Sequence, residues 1–107
     1  FGQSFIAEAP IVIVACGTKS KSIMACGQLA YTVDVSIACA FMILQAYELG
    51  LGTCWIGDFK EDETKKILNV PEHVRVVAMI PVGYPNELPS EKFRKSLNQI
   101  VCYEKYE

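Results

Sequence analysis

The sequence predicts an α+β fold, α/β-like in having three layers, with a central sheet flanked by helices. Three observations carry that prediction. Residues 11–15 and 74–82 are continuous apolar runs rich in β-branched side chains, the second broken only by Arg75. Runs of that kind suit strands covered on both faces. Between Asp34 and Glu48 the chain carries no charged residue, which describes a helix apolar on nearly every side and therefore buried. Last, Gly50-Leu51-Gly52-Thr53-Cys54-Trp55-Ile56-Gly57 follows that helix, where the chain must stop, turn and run back.

Taken in order, Pro10 precedes the first strand, Ile11 to Ala15. Gly17-Thr18-Lys19-Ser20-Lys21-Ser22 is a polar loop. Its glycine and lysines suit a phosphate, but the Walker spacing is absent and a solvated loop is the plainer reading. Asp34 is a suitable N-cap for a helix reaching about Leu49, since a carboxylate accepts the unpaired N–H groups of a first turn. Small residues on that helix (Ser36, Ala38, Cys39, Ala40, Ala46) allow close approach by another helix. Gly50 and Gly52 suit left-handed positions at the helix exit, and Thr53 to Ile56 is β-prone. A connection of this type either only turns the chain or seats a flat ligand against its backbone, and both readings stand on the residues alone.

Lys60 to Asn69 predicts a charged amphipathic helix with Ile67 and Leu68 turned inward, ended by Val70-Pro71-Glu72. The second strand runs from Val74 to Val82. His73, the single histidine, falls in the polar connector before it, with no nucleophile placed beside it in sequence. Tyr84 to Ser90 is a proline-rich loop leading to Lys92, Arg94 and Lys95, a basic cluster that by itself reads as solvated surface. Leu97 to Tyr106 reads as a terminal extended segment, an aggregation hazard if it stood as an exposed edge.

Composition narrows the function classes. The 107 residues allow one domain, and 51% of them are hydrophobic, with a mean hydropathy of +0.25. So short a chain has difficulty burying that much apolar sequence alone, which points to further covalent structure or a partner subunit. A net charge of −2 and a pI near 5.4 argue against nucleic-acid binding. No apolar run reaches the ~18 residues of a membrane span, the central helix reads as too short to cross one, and no signal-peptide pattern opens the chain. The five cysteines, Cys16, Cys26, Cys39, Cys54 and Cys102, form no CxxC pair. They fit buried reduced thiols of a cytoplasmic protein and offer no metal site.

Four blocks together resemble the nitroreductase family in order and spacing. They are Ala9-Pro10-Ile11-Val12-Ile13-Val14, Asp34-Val35-Ser36-Ile37-Ala38, Leu49 to Gly57, and Pro81-Val82-Gly83-Tyr84-Pro85. The resemblance covers about residues 5–103, and the Gly-Leu-Gly-Thr-Cys-Trp-Ile-Gly run is its most specific part. It implies a nitroreductase-like fold, present here as a single partial domain over residues 1–107, without the N-terminal portion that helps to grip a flavin. It also implies FMN as cofactor, NAD(P)H as electron donor, and a nitroaromatic, quinone or similar conjugated small molecule as acceptor.

The resemblance implies a homodimer whose tail crosses to the partner. The flavin would rest on Cys54, Trp55, Ile56 and Gly57, with the N–H groups of Ile56 and Gly57 donating to the ring. Lys92 and Arg94 would reach its phosphate. No catalytic side chain or metal is implied, because the cofactor carries the chemistry. Two alternatives remain open on sequence: a flavin-binding module without turnover, and a truncated piece with an incomplete flavin site.

Overall fold

The computed structural model describes residues 4–106. A short 3₁₀ turn, Ser4–Glu8, leads into β1 (Ile11–Gly17). There follow α1 (Ala30–Glu48), β2 (Gly52–Thr53), α2 (Glu61–Leu68), β3 (Arg75–Gly83) and α3 (Leu97–Ile100). The three strands form one sheet in the order β1-β3-β2. Both pairings are antiparallel: Ile11 opposes Val82 at one end of the β1 ladder, Gly17 opposes Arg75 at the other, and a bulge falls between Ala15 and Cys16. The α+β character is as the sequence predicts. The strand at the centre is β3, and its residues at alternate positions, Val76, Ala78 and Ile80, are buried, the period-2 pattern of a strand facing one core.

That core lies between the sheet and α1. Ala15, Cys39 and Ile80 are buried together, with Ile13, Val35, Ile43 and Val82 packed around them. Burial pushes the Cys39 thiol pKa up. At the end of β1, Gly17 lies beneath Tyr31: a Cβ there would stand 2.5 Å from Tyr31 Cδ2. Only glycine lets the helix come so close.

α1 begins four residues before the expected Asp34 cap. A tight turn delivers the chain into it: the Met24 N–H donates to Gln28 O at 2.8 Å and the Gly27 N–H to Met24 O at 2.8 Å, with Gly27 at φ +91°. Ile23 bridges Leu29, and the Ala30 N–H reaches Ser22 O at 3.0 Å. The turn, rather than a side-chain cap, sets the start, and Asp34 is an exposed residue of the second turn. The helix ends as its glycine predicts. Gly50 adopts φ +80°, its N–H bonds Tyr47 O at 3.0 Å, and the Leu51 N–H bonds Ala46 O at 2.9 Å, the two bonds of a Schellman cap. Gly52 takes no left-handed conformation, being part of β2.

Other expectations are corrected. α1 buries only Tyr31 and Cys39, and Ile37, Phe41, Leu44 and Tyr47 stand exposed, because the sheet covers a single stripe of the helix. Its 19 residues and mean hydropathy of 1.4 meet the length and composition of a membrane span, so it is not too short to cross one. Through Val35, Cys39 and Ile43 it packs on β1 and β3. α2 has acidic residues in its first turn and lysines in its last, matching the helix dipole, but Ile67 is 80% exposed and Leu68 half exposed. Asn69 ends it at φ +55°.

The tail is not a strand. Ser96 and Gln99 form a capping box that starts the single turn of α3, and residues beyond it are irregular. Nor are the cysteines uniformly buried. Cys26, Cys54 and Cys102 are exposed, Cys16 is half-buried and Cys39 alone is buried.

Candidate functional site

The segment after α1 is shaped by a residue far along the chain. Gly52 pairs with Gly83 and Thr53 with Val82; three residues later Ile56 pairs with Met79, in the same register. That register sets Cys54 opposite Pro81. Ile56 and Met79 exchange both backbone bonds, at 2.9 and 3.0 Å. By the two-residue alternation of an antiparallel ladder, Cys54 and Pro81 should be the next exchanging pair. Pro81 has no N–H to give. The expected Thr53–Ile56 strand therefore exists as a ladder with one broken rung: β2 stops at Thr53 and Ile56 rejoins alone.

The break sorts the four candidate residues. Cys54 and Trp55 are exposed, Ile56 is 2% exposed, and Gly57 lies exposed just past the bridge. The Ile56 N–H donates to Met79 O, which corrects the expectation that it donates to a ligand. Gly57 differs from its neighbours. Gly52 and Gly83 leave room for Pro85 and Pro10, at 3.1 and 3.0 Å from their hypothetical Cβ atoms. A Cβ on Gly57 would meet only Trp55 Nε1, at an ordinary 3.5 Å, and its φ lies outside the left-handed range. Neither packing within the described residues nor backbone conformation requires glycine there.

A cleft of about 730 Å³ opens beside this segment, walled by Pro10, Cys54, Pro81 and Tyr84, with Glu8 and Glu87 also lining it. Lys92 and Arg94 are not among its walls. They are exposed in the connection between β3 and α3, where Arg94 Nη1 donates to the Phe93 carbonyl at 3.2 Å. Cys54 thus belongs to a cleft that the basic pair does not share. A second cleft, of about 230 Å³, lies at the end of β1 and includes Thr18, Lys19, Ser22, Tyr31 and Asp34. Asp34 makes it a poor phosphate cradle. His73 is exposed, its carbonyl accepting from Ser20 Oγ at 2.6 Å. Among the described residues no cluster of His, Cys, Asp or Glu could hold a metal.

One cluster escaped the sequence reading. Glu61, the first residue of α2, accepts from Arg75 Nε at 2.8 Å, from Arg75 Nη2 at 3.1 Å and from the Val76 N–H at 3.0 Å. Lys65 Nζ lies 4.0 Å away and also donates to the Glu72 carbonyl. Arg75 in turn lies 5.9 Å from the Tyr31 ring centre. The Arg75 hydrogen bond holds the Glu61 carboxyl below the usual carboxylate range, against a smaller upward push from burial. The same bond raises Arg75. The signal was a lone arginine in an otherwise apolar strand.

With this geometry established, comparison with known proteins places the chain. The nitroreductase family model matches residues 1–84. The chain belongs to the nitroreductase family. It is similar to a nitroreductase family protein of Clostridium difficile 630, with a TM-score of 0.84 and 31% identity over 94% of this chain and 63% of that one. An FMN-dependent nitroreductase of Clostridium difficile R20291 gives a TM-score of 0.79 at 26% identity, over 99% of this chain and 64% of the other. The FMN reductase (NADPH) of Bacillus subtilis is 33% identical over 64 residues, 58% of this chain and 26% of that protein. The chain spans about half the length of most curated relatives it matches.

Proposed function

We propose that this chain forms part of an FMN-dependent oxidoreductase of nitroreductase type, carrying hydride from NAD(P)H to a nitroaromatic, quinone or similar conjugated small molecule. The observation that carries the reading is Gly57, an exposed glycine for which the fold itself gives no reason. A flat ligand that must approach the backbone does give one. Family membership and the flavin-dependent relatives support it. FMN, when bound, supplies the hydride chemistry.

The chain's own part is binding and orientation. The Gly57 N–H would donate to the ring edge, favouring the electron-rich reduced form without a titratable group. Trp55, 41% exposed, and Cys54 would give the ring an apolar neighbour. Lys92 and Arg94 would hold the phosphate from outside the cleft whose walls carry Glu8 and Glu87. The functional unit in this reading is a homodimer, supported by the stripe Val33, Ile37, Phe41 and Leu44, exposed at helical spacing along α1.

The test is the visible spectrum of the purified protein with added FMN, then with NAD(P)H under anaerobic conditions. A bound flavin that bleaches supports the oxidoreductase. One that stays yellow makes the protein a binding module, and absence of binding means that residues outside this chain complete the site. Gly57→Val should abolish flavin binding while leaving the melting temperature close to that of the parent. Unchanged FMN affinity in that variant would remove Gly57 from the site.

A further inference from the structure

The stretch that carries Gly57 is fastened to one strand at both ends. At its start, Ile56 and Met79 exchange two backbone bonds. At its finish, Glu61 takes three hydrogen bonds from Arg75 and Val76. Residues 57–60 lie between. The anchor points Val76 and Met79 stand three residues apart on β3, or ~10 Å at strand rise. The five peptide steps from Ile56 to Glu61 can reach ~17 Å at most. Residues 57–60 are thus held in a short arc between two fixed points, with Phe59 half-buried within it.

We propose that Glu61 is a positioning residue for the flavin seat: pinned to Arg75 and the Val76 N–H, it fixes the far end of the arc that presents the Gly57 peptide. This rests on the flavin reading above. Glu61 holds the seat only as a carboxylate. Protonated, it loses the charge that binds Arg75 and one acceptor for the hydrogens directed at it. The charged groups around it are Arg75 from β3, Lys65 from its own helix, and Asp62, which acts on Arg75; from α1 comes the Tyr31 ring beneath the guanidinium. Arg75 keeps its charge throughout the acid range, so acid release of the arc is assigned to Glu61. Flavin retention should fall with pH as Glu61 takes up its proton.

The experiment uses Glu61→Ala and Glu61→Gln, with the exposed neighbour Asp62→Ala as control. It measures FMN affinity against pH and amide hydrogen exchange residue by residue. Glu61→Ala should weaken FMN by about tenfold or more and speed exchange at the Val76 amide, which Glu61 accepts from, while the Ile56 amide stays protected. Glu61→Gln keeps an acceptor for Val76 and folds more securely; it should show an intermediate affinity with the acid-dependent loss removed. Asp62→Ala should leave both measurements near the parent.

An FMN affinity within about twofold of the parent in both Glu61 variants overturns the proposal. So does faster exchange spread evenly over α2 and β3, which is the pattern of general destabilisation. Exchange also separates the two readings. If the parent binds no FMN, this chain does not complete a flavin site by itself, and protection of the Val76 amide that depends on Glu61 still establishes the clamp.

Discussion

Ile56 and Met79 face each other across an isolated bridge, each donating its N–H to the other's carbonyl, at 2.9 and 3.0 Å. The Ile56 side chain is almost wholly buried. One residue therefore does two things: it returns the chain to the sheet after the rung broken at Pro81, and it inserts an apolar anchor beneath the exposed Trp55 and Gly57.

Truncating that anchor should cost far more than truncating an apolar neighbour in sequence. Ile56→Ala should lower unfolding free energy by about 2–5 kcal/mol through lost burial and the cavity left behind. Ile67→Ala, at an exposed position on α2, should change it by no more than about 0.5 kcal/mol. Urea denaturation of both variants checks the contrast, and equal losses would contradict the burial described.

Gly17→Ala places a methyl group where Tyr31 already stands, 2.5–2.9 Å from three of its carbons. The ring and β1 cannot both stay in place. A loss of about 1–3 kcal/mol is expected, read as a lower melting temperature. Pairing the change with Tyr31→Ala should recover part of it, since the obstructing ring is then gone.

Acid should weaken the fold through Glu61. Its pKa in the folded protein is lowered, chiefly by the hydrogen bond from Arg75, so the unfolded chain binds this proton more readily. The stabilisation is fully present above the unfolded value of ~4.3 and fades as pH falls through the lower folded value. Glu61→Gln should be less stable than the parent at neutral pH, and the gap should close towards pH ~2. A gap of constant size across that range would mean that the carboxylate charge contributes nothing.

Arg94→Ala should weaken FMN more than riboflavin, which lacks the phosphate. A hydrogen bond to a charged group contributes about 1.5–3 kcal/mol, so one to two decades of FMN affinity are at stake. Equal losses for the two flavins would return Arg94 to the solvated surface.

Elements whose cause is local were legible in the sequence. The apolar runs of β1 and β3, the charge pattern of α2 and the glycine that closes α1 each carry their reason within a few residues. What the sequence hid has distant causes. β2 is cut short by Pro81, which lies at the other side of the sheet rung from Cys54, and the Ile56 N–H is taken by Met79. The start of α1 is set by the turn at Met24 to Gln28 rather than by Asp34. The candidate site was readable in part for the same reason. Gly57 could be named from its place in a run, whereas the Glu61 clamp needs two elements brought together by folding. Continuous apolarity in α1 predicted burial correctly for one stripe and could not say what meets the rest.

The strand order also fixes a timetable. β3, at the centre of the sheet, follows β1 and α1 in the chain, and its partners in β1 lie about 60 to 70 residues earlier. During synthesis β1 and α1 leave the ribosome before β3, and lack this strand until Arg75 to Gly83 emerges. Closing so long a loop carries a large entropy loss before any contact offsets it. α1, charged only at Asp34 and Glu48, can gain no more than transient helix meanwhile from local contacts. The apolar helix is then the platform on which a late central strand and an early edge strand meet.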